Sequence, residues 1–392
     1  MSELSPLSGV KRKLDFGAVR AAFDPTETSR LRLVGAICSS LASRKVLGFG
    51  YCTRQASMED SMKRREFITI LGGAAATQVI RPGVVRAGTS PKRPIIGIPA
   101  FWAPNKIGQS FLNLFRQGLQ DLGYVLGRDL DIQVRNAGGD WDRLPVIIEE
   151  IVQLKPAVIY AFATLEAVAA RKATSTIPIV CAALADAVHL GLIASEARPG
   201  GNVTGIQPYV AGLPAKQIEL AREIMPGAST VGLLTNSKDP KGPPQTPELE
   251  AAGQAAGLKI VAADANRPED IEDALRELAN KHVDVVIVLQ TSLLISNSPQ
   301  IAASALAMRL PTVYGYREHV LAGGLISYGV DLRWCFSRSA YFVDKILRGT
   351  PPGDLPIEFP TQFPLTVNIK TAKQLGLTIP PTLLARADEV IE

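Results

Sequence analysis

Histidine, cysteine and the signatures of catalysis are scarce in this 392-residue chain. The three histidines, His189, His282 and His319, are far apart, with no pair at ligand spacing and no Cys/His/carboxylate cluster beside them, so no metal site is expected. No G-x-G-x-x-G follows a strand pattern, and there is no G-x-x-x-x-G-K-[ST], H-E-x-x-H or G-x-S-x-G. Those absences argue against a nucleotide, zinc-peptidase or serine-hydrolase enzyme, and no cofactor is expected. Four cysteines are present. Cys38 and Cys52 fall in the first 61 residues, while Cys181 and Cys335 lie in apolar stretches without C-x-x-C spacing. The latter two read as buried thiols, with a disulfide between them left open. After residue 87 no apolar run is long enough for a membrane-spanning helix.

A uniform excess of one charge is also missing. The whole chain is net +5, but residues 1–87 hold 14 of its 42 Lys+Arg and only 7 of its 37 Asp+Glu. The remainder is net −2. A nucleic-acid partner therefore has no electrostatic footing.

The basic excess has a local source. Lys63-Arg64-Arg65 opens "MKRREFITILGGAAATQVI", a short apolar stretch with small residues follows, and Val85-Arg86-Ala87 offers a small–x–small site. That is the layout of a signal peptide over 62–87, twin-arginine-like at Arg64-Arg65-Glu66-Phe67, with cleavage after about Ala87. The competing reading, an internal amphipathic helix, fits poorly with Gly72-Gly73 and the basic start. No cysteine follows near the cleavage site, which disfavours a lipid anchor. Residues 1–61 have no sustained period of 2 or 3.6. They read either as the product of an upstream start codon, with Met62 the true start, or as a genuine disordered leader.

From residue 93 onward, buried-strand and helix patterns alternate. Strands are expected at 93–100, 129–136, 156–161 and 177–184. A second series is expected at 230–236, 259–265, 283–290 and 311–316, after a break near Asn202. Helices are expected at 107–123, with Phe111, Phe115, Leu119 and Leu122 on one stripe, and at 142–154, 164–172, 246–256, 268–281 and 299–309. Alternation of this length predicts two doubly wound parallel α/β lobes.

Parallel sheets bind ligands at the carboxyl ends of their strands. Here those ends carry Phe101, Trp102, Thr164, Asp186, Asn236, Gln290, Ser292, Tyr314 and Tyr316, and Asp331 follows a later crossing. Aromatics, amides and hydroxyls suit binding more than catalysis. Thr164 and Ser292, at helix starts in opposite lobes, suit an anion. Phe101, Trp102, Tyr314 and Tyr316 either stack on a flat group or belong to the lobe cores. Asp186 and Asp331 either face a ligand cation or cap the helices that follow them.

"ARPGGNVTG" (Ala197–Gly205), "LPTVYGYREHV" (Leu310–Val320), "AGGLISYGVDL" (Ala322–Leu332), the tail "VNIKTAKQLGLTIPPTLLARADEVIE" (Val367–Glu392) and the "KRREFI" leader resemble a family of ABC-transporter substrate-binding proteins. The resemblance covers Met62–Glu392. It implies the type I periplasmic binding-protein fold, with tryptophan- and tyrosine-binding members as relatives. It also implies a three-crossing hinge near Thr204–Ile206, Ser327–Gly329 and Glu358–Pro360, with lobe 1 as 93–204 plus 328–358 and lobe 2 as 205–327 plus 359–392. Gly205 and Gly329 are candidate hinge residues, since hinges absorb backbone rotation, or simply turn glycines. Where the family usually has Asp-Pro-Val, this chain has Asp186-Ala187-Val188, which predicts a less rigid loop.

The expectation is therefore a monomeric periplasmic solute-binding protein of an ABC importer. It would hold a small carboxylate-bearing, amino-acid-like ligand between its lobes and deliver it to a membrane permease. The alternative is a binding protein of the same fold that feeds a chemoreceptor or sensor kinase.

Overall fold

A computed structural model describes residues 93–101, 105–208 and 212–392. The expected signal peptide and the leader before it lie outside the described residues, as does Trp102.

The first sheet is built from β1 (Ile95–Ala100), α1 (Lys106–Asp121), β2 (Asp131–Asn136), α2 (Arg143–Gln153), β3 (Val158–Ala161), α3 (Thr164–Ala173), β4 (Ile179–Cys181) and β5 (Val203–Gly205). Its five strands run parallel in the order β2-β1-β3-β4-β5. The second is built from α4 (Leu213–Ile224), β6 (Thr230–Thr235), α5 (Gly242–Ala255), β7 (Lys259–Asp264), α6 (Asp270–Asn280), β8 (Val285–Val288), α7 (Ser292–Ser296), α8 (Ser298–Ala307), β9 (Thr312–Tyr314), α9 (Arg317–Leu321) and β10 (Ile326–Tyr328). After α10 (Leu332–Leu347) the chain adds β11 (Leu365–Asn368), α11 (Ile369–Leu375), α12 (Pro381–Leu384) and β12 (Glu389–Ile391). The strand order is β12-β11-β10-β9-β8-β6-β7, parallel except where β10 meets β11.

The apolar patterns explain this arrangement. The inner strands β3, β4 and β8 are buried throughout, because helices cover both faces of a parallel sheet. Helix α2 buries Leu144, Ile147, Ile148 and Ile151, the four residues its spacing predicts. Helix α1 buries Phe111, Phe115 and Leu119, but Leu122, expected on that stripe, is its exposed C-cap. The stripe ends one turn early because the helix stops at Asp121. Helix α10 follows a strand of the second sheet yet packs on the first, its Phe336 stacked on Phe111 of α1 with ring centroids 4.2 Å apart. Cys181 and Cys335 are buried free thiols.

Three segments join the sheets: the stretch after β5, the stretch from β10 to α10, and the stretch after α10. The first and third touch. Ile206 bridges Glu358, Glu358 N–H donates to Gly205 O (3.1 Å), and Gln207 N–H donates to Glu358 O (2.9 Å). Arg338 of α10 adds a two-pronged ion pair to the Glu358 carboxylate, at 2.8 and 2.7 Å. Gly205 has φ +148°, and a Cβ there would lie 2.0 Å from Cys181 O. A Cβ on Gly329 would lie 2.0 Å from Gly315 O. Glycine stands at both crossings because backbones approach too closely for a side chain. The chain is thus an α/β protein of two doubly wound parallel-sheet lobes joined by three crossings.

Candidate functional site

The carboxyl ends of the two sheets face each other across a cavity. Lobe 1 contributes Ile107, Gly108 and Phe111 from the start of α1, Phe162 and Ala163 after β3, and Ala183 after β4. Lobe 2 contributes Lys241 after β6, Ser292, Ile295 and Ser296 of α7, and Tyr316 after β9. Leu332 and Phe336 of α10 close one side. The lobes meet here: Asn105 Nδ2 donates to Ser296 O at 3.2 Å, and Tyr316, Ile295 and Leu213 share an apolar cluster with Phe111, Phe162 and Phe336. The enclosed space is small, about 30 Å³, room for little more than a water molecule.

Most of the wall is apolar, and the polar groups behind it are tightly held. Glu166 is completely buried, and its carboxylate accepts N–H bonds from Phe101 (3.4 Å) and Ala163 (3.2 Å). This ties the start of α3 to the end of β1. Burial pushes the Glu166 pKa up to about 7, opposed by those backbone bonds and by the nearby charge of Lys241. In lobe 2, Asp239 accepts from Lys241 N–H (3.0 Å) and from Ser292 N–H (2.7 Å). Gln245 Nε2 donates to the backbone oxygens of Lys241 and Gln290, and its Oε1 accepts from Gln290 N–H. The loop that carries Lys241 is therefore locked to the end of β8.

Two of the residues expected at the site line the cavity, Ser292 and Tyr316. Ser292 Oγ is buried without a hydrogen-bond partner, and burial raises the Tyr316 phenol well above its ordinary pKa. The other described candidates lie elsewhere, and Trp102 is outside the described residues. Phe101 packs against Trp141 in the core of lobe 1, ring centroids 4.6 Å apart. Tyr314 is core to lobe 2, stacked on His319 at 4.6 Å. Thr164 is not the N-cap of α3, a place Ala163 takes. Its hydroxyl donates to Ala183 O (3.3 Å) and accepts from Ala185 N–H (2.8 Å), which leaves little for a ligand. Asn236 spends its amide on Ala265, Asn266 and Asp239, shaping the turn after β6. Gln290 lays its side chain over Gly315, away from the cavity wall. Asp331 is the N-cap of α10, accepting from Arg333 N–H (2.9 Å) and pairing with that guanidinium (3.4 Å). Asp186 sits in a left-handed conformation (φ 51°) at the turn after β4, outside the cavity wall.

Sequence reasoning missed Lys241, Glu166 and Asp239. The stretch "SKDPKGPP" (Ser237–Pro244) reads as a solvated turn, the usual fate of charges beside Pro and Gly. The one available signal was its place after a parallel strand of the second lobe.

Two lobes meeting over a cavity at their strand ends define a type I periplasmic binding protein, and the sequence agrees. Residues 111–391 match the family described as ABC transporter substrate binding protein, and the chain belongs to it. A curated relative, the "Tyrosine-binding protein" of Clostridioides difficile (strain R20291), is 28% identical over 263 residues, 67% of this chain and 75% of the relative. Among solved structures, an ABC domain in complex with L-Trp from Streptococcus pneumonia is 25% identical. It superposes with a TM-score of 0.71, over 76% of this chain and all of that one. A ligand-free, open substrate-binding protein with adhesive properties from Clostridium difficile is 26% identical. It superposes with a TM-score of only 0.56, over 76% of this chain and 99% of that one. The family consists of substrate-binding proteins rather than enzymes, so the chain binds a small molecule as a component of an ABC-type transporter.

Proposed function

We propose that this protein is the periplasmic solute-binding component of an ABC importer. It captures a carboxylate-bearing, amino-acid-like ligand between its lobes and delivers it to a membrane permease. It works as a monomer, exported with its signal peptide removed after about Ala87, with lobe 1 as 93–204 plus 328–358 and lobe 2 as the rest from 205. Gly205 and Gly329 lie on the crossings about which the lobes turn.

The observation that carries the reading is the cavity at opposing strand ends, walled by both lobes, which touch beside it through Asn105 and Ser296. At about 30 Å³ it is smaller than any amino acid, so entry of a ligand widens it. The names of the relatives that bind tyrosine and tryptophan support a carboxylate ligand.

The test is a thermal-shift panel of amino acids, aromatic acids, sugars and polyamines, followed by small-angle scattering with any compound that scores. A ligand at 100 times its Kd stabilises by about 2.7 kcal/mol, a shift of several degrees for a chain of this size. The scattering profile should contract on binding. Shifts for sugars alone would overturn the carboxylate assignment, and identical profiles with and without a saturating ligand would overturn capture by closure.

A further inference from the structure

Lys241 is only 6% exposed, and among the described residues its ammonium has neither a hydrogen bond nor an ion pair at contact distance. It lines the cavity, and so does the buried, unpartnered Ser292 Oγ. Lys241 and the buried Glu166 act on each other's charge, but no described side chain fills the ammonium's donors, which leaves them to a ligand group in the cavity. Its position is fixed from behind. Asp239 Oδ1 holds the Lys241 backbone N–H, Gln245 Nε2 holds its backbone oxygen, and Asp239 Oδ2 holds the Ser292 N–H. The two nearby carboxylates are occupied by these backbone groups and by those that Glu166 binds, and neither lines the cavity.

Among the described residues, none that lines the cavity is acidic. Asp186 and Asp331, the acids the sequence offered for a ligand cation, lie outside the cavity wall. The site therefore presents one cation, hydroxyl groups and the rings of Phe111, Phe162 and Phe336, with no built partner for an ammonium group.

Building on the reading of the cleft as the ligand site, we propose that Lys241, assisted by the Ser292 hydroxyl, anchors the ligand carboxylate. We also propose that the ligand class is an apolar, ring-bearing monocarboxylate whose recognition does not depend on an α-ammonium group. The carboxylate completes the pairing of Lys241 when the lobes shut, which couples closure to the ligand.

The experiment is isothermal titration of the full protein with L-tyrosine and L-tryptophan, with their des-amino counterparts 3-(4-hydroxyphenyl)propionate and 3-(indol-3-yl)propionate, and with tyramine and tryptamine. The expected result is binding of each des-amino acid within about tenfold of its amino acid, and none for the amines. Lys241→Met should weaken the acids at least about 30-fold, as loss of a charge-assisted hydrogen bond does. Its unliganded melting temperature is read alongside, so that a loss of binding is told apart from a loss of fold. Ser292→Ala should weaken them by less. Affinities unchanged in Lys241→Met, or amino acids preferred at least about 100-fold over their des-amino partners, would overturn this inference and leave the carboxylate reading standing. Silence of all four acids would overturn both.

Discussion

Raising the pH from about 6 to about 8 should weaken the fold, and Glu166 is a main cause. Its carboxyl is fully buried, and burial lifts its pKa from 4.5 to about 7, more than the two backbone N–H bonds and Lys241 lower it. A carboxyl raised in this way binds more protons folded than unfolded between those two values. Its share of stability is therefore complete below 4.5 and lost as the pH rises through 7. The whole effect is about 3 kcal/mol, of which about 1.3 kcal/mol falls between pH 6 and 8. Glu318, whose enclosed Oε2 has no partner, is also pushed up to about 7 by burial and adds a loss of the same sign and similar size. His319 has the opposite dependence. Burial lowers its pKa to about 4, so its share is complete above 6.5 and lost as the pH falls through 4. Between pH 6 and 8 it returns about 0.8 kcal/mol, because the unfolded imidazole is largely protonated at pH 6. The net loss is about 2 kcal/mol, read as urea midpoints at the two pH values. Glu166→Gln, which cannot ionise, should lose only about a quarter as much between them. Equal wild-type midpoints at both pH values, or an unchanged difference in Glu166→Gln, would refute the reasoning.

Two further outcomes test the placement of particular residues. Gly205→Ala places a Cβ 2.0 Å from Cys181 O at a φ of +148°, and should destabilise by about 3 kcal/mol or more; a loss below about 1 kcal/mol in urea unfolding would show that the crossing is not packed as described. Tyr316 and Tyr314 should separate binding from stability. Tyr316→Leu, on the cavity wall, should weaken ligand binding about tenfold, whereas Tyr314→Leu, in the lobe 2 core, should cost about 2–4 kcal/mol of stability with little effect on affinity. The reverse pattern, by calorimetry and melting, would place the ligand elsewhere.

The alternation of apolar runs with 3.6-period stripes was enough to predict two parallel α/β lobes, because burying both faces of a parallel sheet leaves a local mark on every inner strand and its covering helices. Strands β1, β3, β6 and β8 and helices α1 and α2 were legible for that reason. The three-residue strands β5, β10 and β12 were not, since so short a segment shows no period and is held by its neighbours' register. The site divided in the same way. That strand ends carry it followed from topology, but which side chains face the cleft did not. Tyr314 and Tyr316 are two residues apart and equally aromatic, yet one fills the lobe 2 core and the other lines the cavity. Asp331 read equally as a ligand partner or a helix cap, and its bond from the Arg333 backbone N–H shows the cap. Lys241, in a Pro- and Gly-rich loop after β6, was not singled out, and only the packing of lobe 1 opposite it makes it part of a cavity wall. Local sequence records what a residue contributes to its own strand or helix; whether a charge in a loop meets water or a closed cavity depends on a lobe folded from residues far away in the chain.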